Sequence, residues 1–154
     1  MKNVYYFYET IFGRIMIGSD GKAVTFIKTV WNEEPIGEMV ADALTDTAAQ
    51  QLEEYFAGKR SRFDVSLHPH GTVFQKSVWK ALCDIPYGET RSYKQIAQAV
   101  GNPDACRAVG MANNKNPIWI MIPCHRVIGS SGKLIGYGGG LEMKQRLLDI
   151  EKIK

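Results

Sequence analysis

An α/β fold in two parts is what the sequence predicts, and three observations carry that expectation. The first thirty residues alternate apolar and polar positions as strands do. After Gly71, apolar residues recur instead at helical spacing. Two short helical segments then meet at a glycine, as in a helix-turn-helix. We therefore expect a strand-rich lobe over residues 1–70, with a small antiparallel sheet plus a helix, and a mostly helical lobe over residues 71–154. The chain has 154 residues, enough for one domain or two packed lobes with a real core.

In the first lobe, "RIMIGSDGKAVTFIK" has apolar alternation on both sides of Ser19-Asp20-Gly21, a hairpin signal. Thr47 with Gln50 three residues later reads as a helix start, and Leu52, Tyr55 and Phe56 supply the buried stripe until Gly58 stops it. Phe63, Val65 and Leu67 alternate as one more strand.

In the second lobe, Phe74, Val78, Ala81 and Leu82 mark a helix that Pro86 and Gly88 end. Ser92 and Gln95 form a capping box before Tyr93, Ile96, Ala97 and Val100. Gly101 ends that helix, Asn102 can cap the next, and Pro103 suits its first position. In the next helix Ala105, Ala108, Val109 and Ala112 form the inward stripe, which leaves Arg107, Gly110, Met111 and Asn114 on the other face. A strand over Ile118–Ile122 is broken by Pro123, a hairpin-like connection follows, and a closing helix carries Leu141, Met143, Leu147, Leu148 and Ile150 on its apolar side.

Charge is unevenly distributed. Residues 1–70 hold 7 basic and 10 acidic side chains, residues 71–154 hold 12 and 6, so the second lobe has a surplus of +6 and favours an anionic partner. The N-terminus lacks the uninterrupted apolar core of a signal peptide, and no apolar run reaches the length of a membrane span. With three cysteines and no export signal, reduced thiols in the cytoplasm are the expectation. His68 and His70 are spaced like a metal pair but lack further ligands nearby, and the glycines at 138–140 lack the Lys-Ser/Thr of a phosphate loop.

Cys83 and Cys106 read as small buried apolar residues. Cys124 differs, because Pro123 precedes it and His125 and Arg126 follow directly. A neighbouring cation or imidazole favours thiolate, although consecutive side chains on extended backbone point opposite ways, so His125 would act through a water or a third group. Since a free thiol is already about 3% ionised at pH 7, full deprotonation gains at most ~30-fold, about 2 kcal/mol. The remainder of any difficult reaction must come from positioning and from stabilising the leaving group.

The segments "PYGETRSYKQIA", "RAVGMANNKNP", "IPCHRVI" and "GYGGGLEMKQRLLDIE" stand in one order and spacing. Over about Gln51 to Glu151 the chain resembles the O6-alkylguanine-DNA alkyltransferases, also called methylated-DNA–protein-cysteine methyltransferases. The resemblance implies direct, single-turnover repair. Cys124 would take the alkyl group from O6 of guanine and keep it as a thioether, with O4-alkylthymine left open as a second substrate. His125 would link Cys124 through a water to Glu151, Asn116 would buttress the site, and Tyr93 would donate a proton or hydrogen bond to the leaving base.

The partner implied is double-stranded DNA carrying alkylated guanine, bound in the minor groove without sequence reading, by a monomer. Because a lesion inside a duplex cannot reach a buried thiol, the nucleotide must be flipped out. Arg107 would fill the vacated stack, with Ala105, Ala108, Gly110 and Asn102 on the DNA-binding face. Pro123, Val127, Ser130, Tyr137, Gly138 and Gly139 would line the pocket, where Gly138 leaves room for larger alkyl groups. Because the first cysteine is Cys83, the N-terminal zinc set of some relatives is absent, and no metal or other cofactor is expected. A lesion-sensing protein without transfer and a Cys-His hydrolase are the alternatives. The retained Cys124, His125, Asn116 and Glu151 oppose the first, and the absence of any specific oxyanion signal opposes the second.

Overall fold

The computed structural model describes residues 2–29, 34–132 and 140–152, and the chain forms two compact units. The first comprises residues 1–70 with 117–119; the second comprises 71–116 with 120–154.

In the first unit, β1 (Val4–Thr10), β2 (Gly13–Ser19), β3 (Val24–Lys28) and β4 (Glu38–Met39) form a sheet in the order β3-β2-β1-β4. β1 pairs antiparallel with β2 from Val4↔Ser19 to Thr10↔Gly13, and β2 pairs antiparallel with β3. The short β4 is parallel to β1. Ile15, Ile17, Val24 and Ile27 fill the core beneath α1 (Ala43–Phe56) together with Ala48, Leu52 and Tyr55. That helix begins four residues before the expected Thr47. Asp42 accepts from the Thr45 amide while Thr45 Oγ1 accepts from the Asp42 amide, which completes an earlier capping box.

The strand expected over Phe63–Leu67 does not form. Only a single bridge, Val24↔Leu67, joins it to β3, through Val24 N–H to Ser66 O at 2.9 Å and His68 N–H to Val24 O at 2.8 Å. The segment Pro117–Trp119 closes this unit, with Ile27 N–H donating to Pro117 O and Trp119 N–H to Ile27 O.

The second unit is built from α2 (Val73–Cys83), α3 (Tyr93–Ala99), α4 (Cys106–Asn114) and α5 (Leu141–Lys152). A two-residue parallel pair, β5 (Arg91–Ser92) with β6 (Val127–Ile128), joins them. Trp79 on α2 is buried and its indole N–H reaches Ala112 O on α4 at 2.9 Å. The Ser92–Gln95 capping box opens α3, and Gly101, at φ +81°, follows its end.

Three sequence expectations change here. First, α4 starts at Cys106 rather than after an Asn102 cap. Asn102 instead gives its backbone carbonyl to the Ala105 amide, a tight turn that holds residues 102–105 off the helix. Second, Ala108 is exposed, and Asn113 joins Val109 and Ala112 on the buried face. Third, Ile118–Ile122 is buried throughout without being a strand; Ile118 makes one bridge to Ile27, and the chain then turns through Ile120 at φ +70°. A β-branched residue in that region is strained, by roughly 1–3 kcal/mol, and is held there only by its surroundings. The hairpin-like connection expected after the cysteine, around Gly129 to Gly140, lies mostly outside the described residues; just before it, β6 pairs in parallel with β5.

The closing helix also differs from its apolar reading. Leu141 is exposed, whereas Lys144 and Glu151 lie with Leu147 and Leu148 on the buried face. Cys83 is exposed and Cys106 half-buried; neither is a core residue. Among the described residues no helix is long and apolar enough to cross a membrane.

Candidate active site

The backbone around Cys124 is set by its proline. Pro123, at φ −81° and ψ 65°, is the centre of an inverse γ-turn in which the Cys124 amide donates to Ile122 O at 2.8 Å. Cys124–Arg126 then make one turn of 3-10 helix, with Arg126 N–H donating to Pro123 O at 3.0 Å. The extended backbone expected at Cys124–His125 is therefore replaced by a helical turn. Two asparagines, Asn113 in the last turn of α4 and Asn116 just beyond it, hold this turn from behind. Asn116 Nδ2 donates to Ile122 O at 2.7 Å, and the buried Asn113 sends Nδ2 to Cys124 O at 3.4 Å.

Cys124, His125 and Arg126 are all buried. His125 Nε2 meets Glu151 Oε2 at 2.7 Å, which makes Nε2 the protonated nitrogen and leaves the Nδ1 lone pair as the base. Arg126, which the sequence suggests as a cation for the thiol, is committed to the carboxylate instead. Its Nε donates to Glu151 Oε1 at 2.9 Å, its Nη2 to Oε2 at 3.1 Å, and its Nη1 to Ile85 O at 2.7 Å. The Gly88 amide adds a fourth donor to Glu151 at 3.1 Å, from a residue at φ +82° that favours glycine. Glu151 is thus a fully buried carboxylate satisfied by four donors, and the forked Arg126 contact balances its charge.

Burial holds the His125 pKa below the ordinary histidine value; the Glu151 hydrogen bond and charge act the other way, while the nearby Arg126 and Lys144 charges add to the lowering. The sign is then fixed. The unfolded imidazole takes up a proton near pH 6.5 and the native one only at lower pH, so the unfolded state binds more protons in between. Stability should fall as the pH drops through about 6.5, whereas a reaction that uses His125 as a base should be lost only at the lower pH where the native ring takes up its proton. An NMR titration in which the His125 ring protonates at or above pH 6.5 would contradict this.

The β5–β6 pair explains how Tyr93 comes to the same place. Arg91↔Val127 and Ser92↔Ile128 register the start of α3 against the residues that follow the 3-10 turn. Burial and, secondarily, the neighbouring Cys124 raise the Tyr93 pKa, so the phenol is protonated at neutral pH. Lys144 lies 5.9 Å from the Tyr93 ring centre, fully buried, with its pKa pushed down to about 8 by burial while Cys124 acts the other way. Lys144 and Asn113 are residues that sequence reasoning missed. Lys144 stands seven positions before Glu151, two turns along one face, and that spacing was the available signal.

The structure thus brings Cys124, His125, Glu151, Asn116 and Tyr93 into one unit. Pro123 and Val127 are buried beside the cysteine, and Ser130 is exposed. Tyr137, Gly138 and Gly139 lie outside the described residues. Arg107 and Ala108 are exposed on α4, Ala105 is half-buried, Asn102 is exposed in the turn before it, and Gly110 lies against the Tyr93 ring, where an added Cβ would sit 3.8 Å from Cε1. Among the described residues no cluster of three or more His, Cys, Asp or Glu side chains could hold a metal ion; His68 pairs with Asp20 at 2.9 Å.

A buried thiol on a proline-fixed turn, next to an imidazole oriented by a carboxylate, defines a protein built around a cysteine nucleophile. Comparison with known proteins is specific about which kind. Residues 3–69 match the ribonuclease-like domain and residues 73–153 the DNA binding domain of 6-O-methylguanine DNA methyltransferase, and the chain belongs to that family. A methylated-DNA–protein-cysteine methyltransferase of Methanosarcina barkeri is 52% identical over 149 residues, 94% of each chain. That of Mycobacterium leprae is 48% identical over 143 residues, 91% of this chain and 87% of the relative. A crystal structure of Mycobacterium tuberculosis OGT in complex with DNA superposes with a TM-score of 0.91 at 46% identity, covering 97% of this chain and 93% of the other.

Proposed function

We propose that the chain repairs O6-alkylguanine in DNA by moving the alkyl group onto its own Cys124, once per molecule. The observation that carries this reading is the His125–Glu151 contact at 2.7 Å immediately after the buried cysteine. The family match and the likeness to a DNA-bound relative support DNA as the partner.

In the proposed step the Cys124 proton passes through one water to His125 Nδ1, and the thiolate sulfur attacks the alkyl carbon. The S–C bond forms as the C–O6 bond breaks, and the electron pair stays on guanine. Tyr93 donates to the base as that charge develops, which is where most of the barrier lowering beyond deprotonation must arise. Glu151 and Arg126 act only through His125, fixing its tautomer and its ring. A thioether is not reversed by these groups, so the molecule is consumed.

For a duplex substrate the flipped base enters beside Cys124 while Arg107 fills the gap, and Ala105, Ala108, Gly110 and Asn102 let α4 lie close along the minor groove. Pro123, Val127 and Ser130 border the base, and Tyr137, Gly138 and Gly139 are the further pocket residues that the family resemblance implies. O6-methylguanine is the methyl case; O4-alkylthymine is a second substrate to try. The three free cysteines suit a reducing cytoplasm, and one complete site per chain suits a monomer.

The test is the intact mass of the protein after incubation with excess O6-methylguanine duplex. A gain of one methylene, stopping at one per molecule, is expected. Tight binding with unchanged mass would point to a lesion sensor, and repeated turnover with unchanged mass to a hydrolase; either overturns the proposal.

A further inference from the structure

We propose that Met111 on α4 is an apolar wedge that holds the minor groove open beside the step vacated by the flipped nucleotide. The proposal rests on the repair reading above and adds to it a residue that sets how firmly duplex DNA is held.

Met111 is 63% exposed, a large apolar side chain on the surface of a helix that otherwise presents small or polar groups there. It follows Arg107 by four positions, so the two lie on one face about 6 Å apart along the axis. Exposed Ala108 and half-buried Gly110 flank them, and Asn114 completes the face one turn further on. A Cβ added at Gly110 would sit 3.8 Å from the Tyr93 ring, which places this face next to the candidate site. The helix lies within the segment matching the DNA binding domain, so the occupant of the face is DNA.

The chemistry at 111 suits sugar rather than phosphate. A thioether offers no charge to the backbone, but it packs well against the apolar walls of a minor groove, as inserted methionines and leucines do in groove-widening proteins. Its three rotatable bonds let it follow the groove as the duplex bends, which a branched side chain on a rigid helix does less well. Arg107 and Met111 therefore divide the work: one replaces the lost base, the other wedges the neighbouring sugars apart.

The experiment measures single-turnover alkyl transfer by the full chain, using O6-methylguanine duplex and, separately, the free O6-methylguanine base. Wild type is compared with M111A, M111L and M111E. Alanine is a better helix former than methionine, so M111A keeps α4. M111A is expected to raise the half-saturating duplex concentration about five- to tenfold, the loss of one partly buried methionine, with little change in maximal rate or in reaction with free base. M111L should restore most of the duplex affinity, and M111E should lose more than M111A by repulsion from phosphate.

If wild type acquires the alkyl group but M111A matches it on duplex within twofold, the wedge is overturned and the repair reading stands. If M111A loses as much with free base as with duplex, Met111 shapes the pocket and the wedge is again overturned. If wild type takes up no alkyl group from either substrate, the repair reading fails and the wedge fails with it.

Discussion

Glu151→Ala should cost the protein about 3–5 kcal/mol, the usual loss when one partner of a buried ion pair is removed. The reason is local. Glu151 accepts from His125, twice from Arg126 and once from the Gly88 amide, and the His125 and Arg126 side chains are buried away from water. Arg126 would keep one bond, to Ile85 O, and a buried guanidinium with uncompensated charge. Because a domain of this size is stable by only about 5–15 kcal/mol, the loss is a large part of the whole. Urea unfolding followed by helical circular dichroism measures it directly. A midpoint shift corresponding to less than about 1 kcal/mol would show that the anchor is dispensable.

Glu151→Gln separates folding from chemistry. Its side chain keeps the shape, so the stability loss should be smaller than for alanine, but its neutral amide no longer balances Arg126 and fits only part of the donor set. His125 then loses its fixed tautomer, and alkyl transfer should slow by about 100-fold, the scale of one positioned acid–base group. The slowing should be equal for duplex and free base, because Glu151 acts on the thiol side of the reaction. A loss confined to duplex would place Glu151 in DNA binding instead.

The constellation that these variants probe was legible in part. The Cys-His pair, the helix that ends in Glu151 and the capping box before Tyr93 are all written in short-range residue choices, where local chemistry decides. The partners of those residues were less visible. Arg126 reads as a cation beside a thiol, yet its fork fits a carboxylate and is drawn to the nearest buried one. An apolar-stripe reading treats every lysine as solvent-facing and so does not select Lys144, although its spacing from Glu151 places both on one face. The β5–β6 pair is two residues long and has no period to detect, yet it brings Tyr93 beside the cysteine turn.

The apolar run before Pro123 fails as a strand for a related reason. Five consecutive buried positions, Ile118 to Ile122, carry no alternation, so the sequence cannot distinguish a central strand from a buried turn. Likewise, Thr47–Gln50 and Asp42–Thr45 are both capping patterns, and the second prevails because Asp42 also accepts from Ser19 on β2, a contact 23 residues away. Long-range contacts of this kind choose among local options that the sequence leaves equal.

Cys124→Ser should abolish alkyl transfer outright while leaving lesion binding in place. A serine hydroxyl is far less acidic than a thiol, so the His125–Glu151 pair has almost no alkoxide to present at neutral pH, and oxygen is the poorer nucleophile toward carbon. The smaller, more polar atom in a buried site also costs about 1–3 kcal/mol if it finds no partner, so Cys124→Ala serves as a second variant without that burden. For both, intact mass after incubation with excess O6-methylguanine duplex should equal that of untreated protein. Arg107, Tyr93 and α4 are untouched, so both variants should still bind lesion duplex in preference to undamaged duplex, now as a stable complex that never proceeds. Methyl loss from the duplex in the presence of Cys124→Ala would mean that another residue accepts the group, and the assignment of Cys124 as acceptor would have to be abandoned.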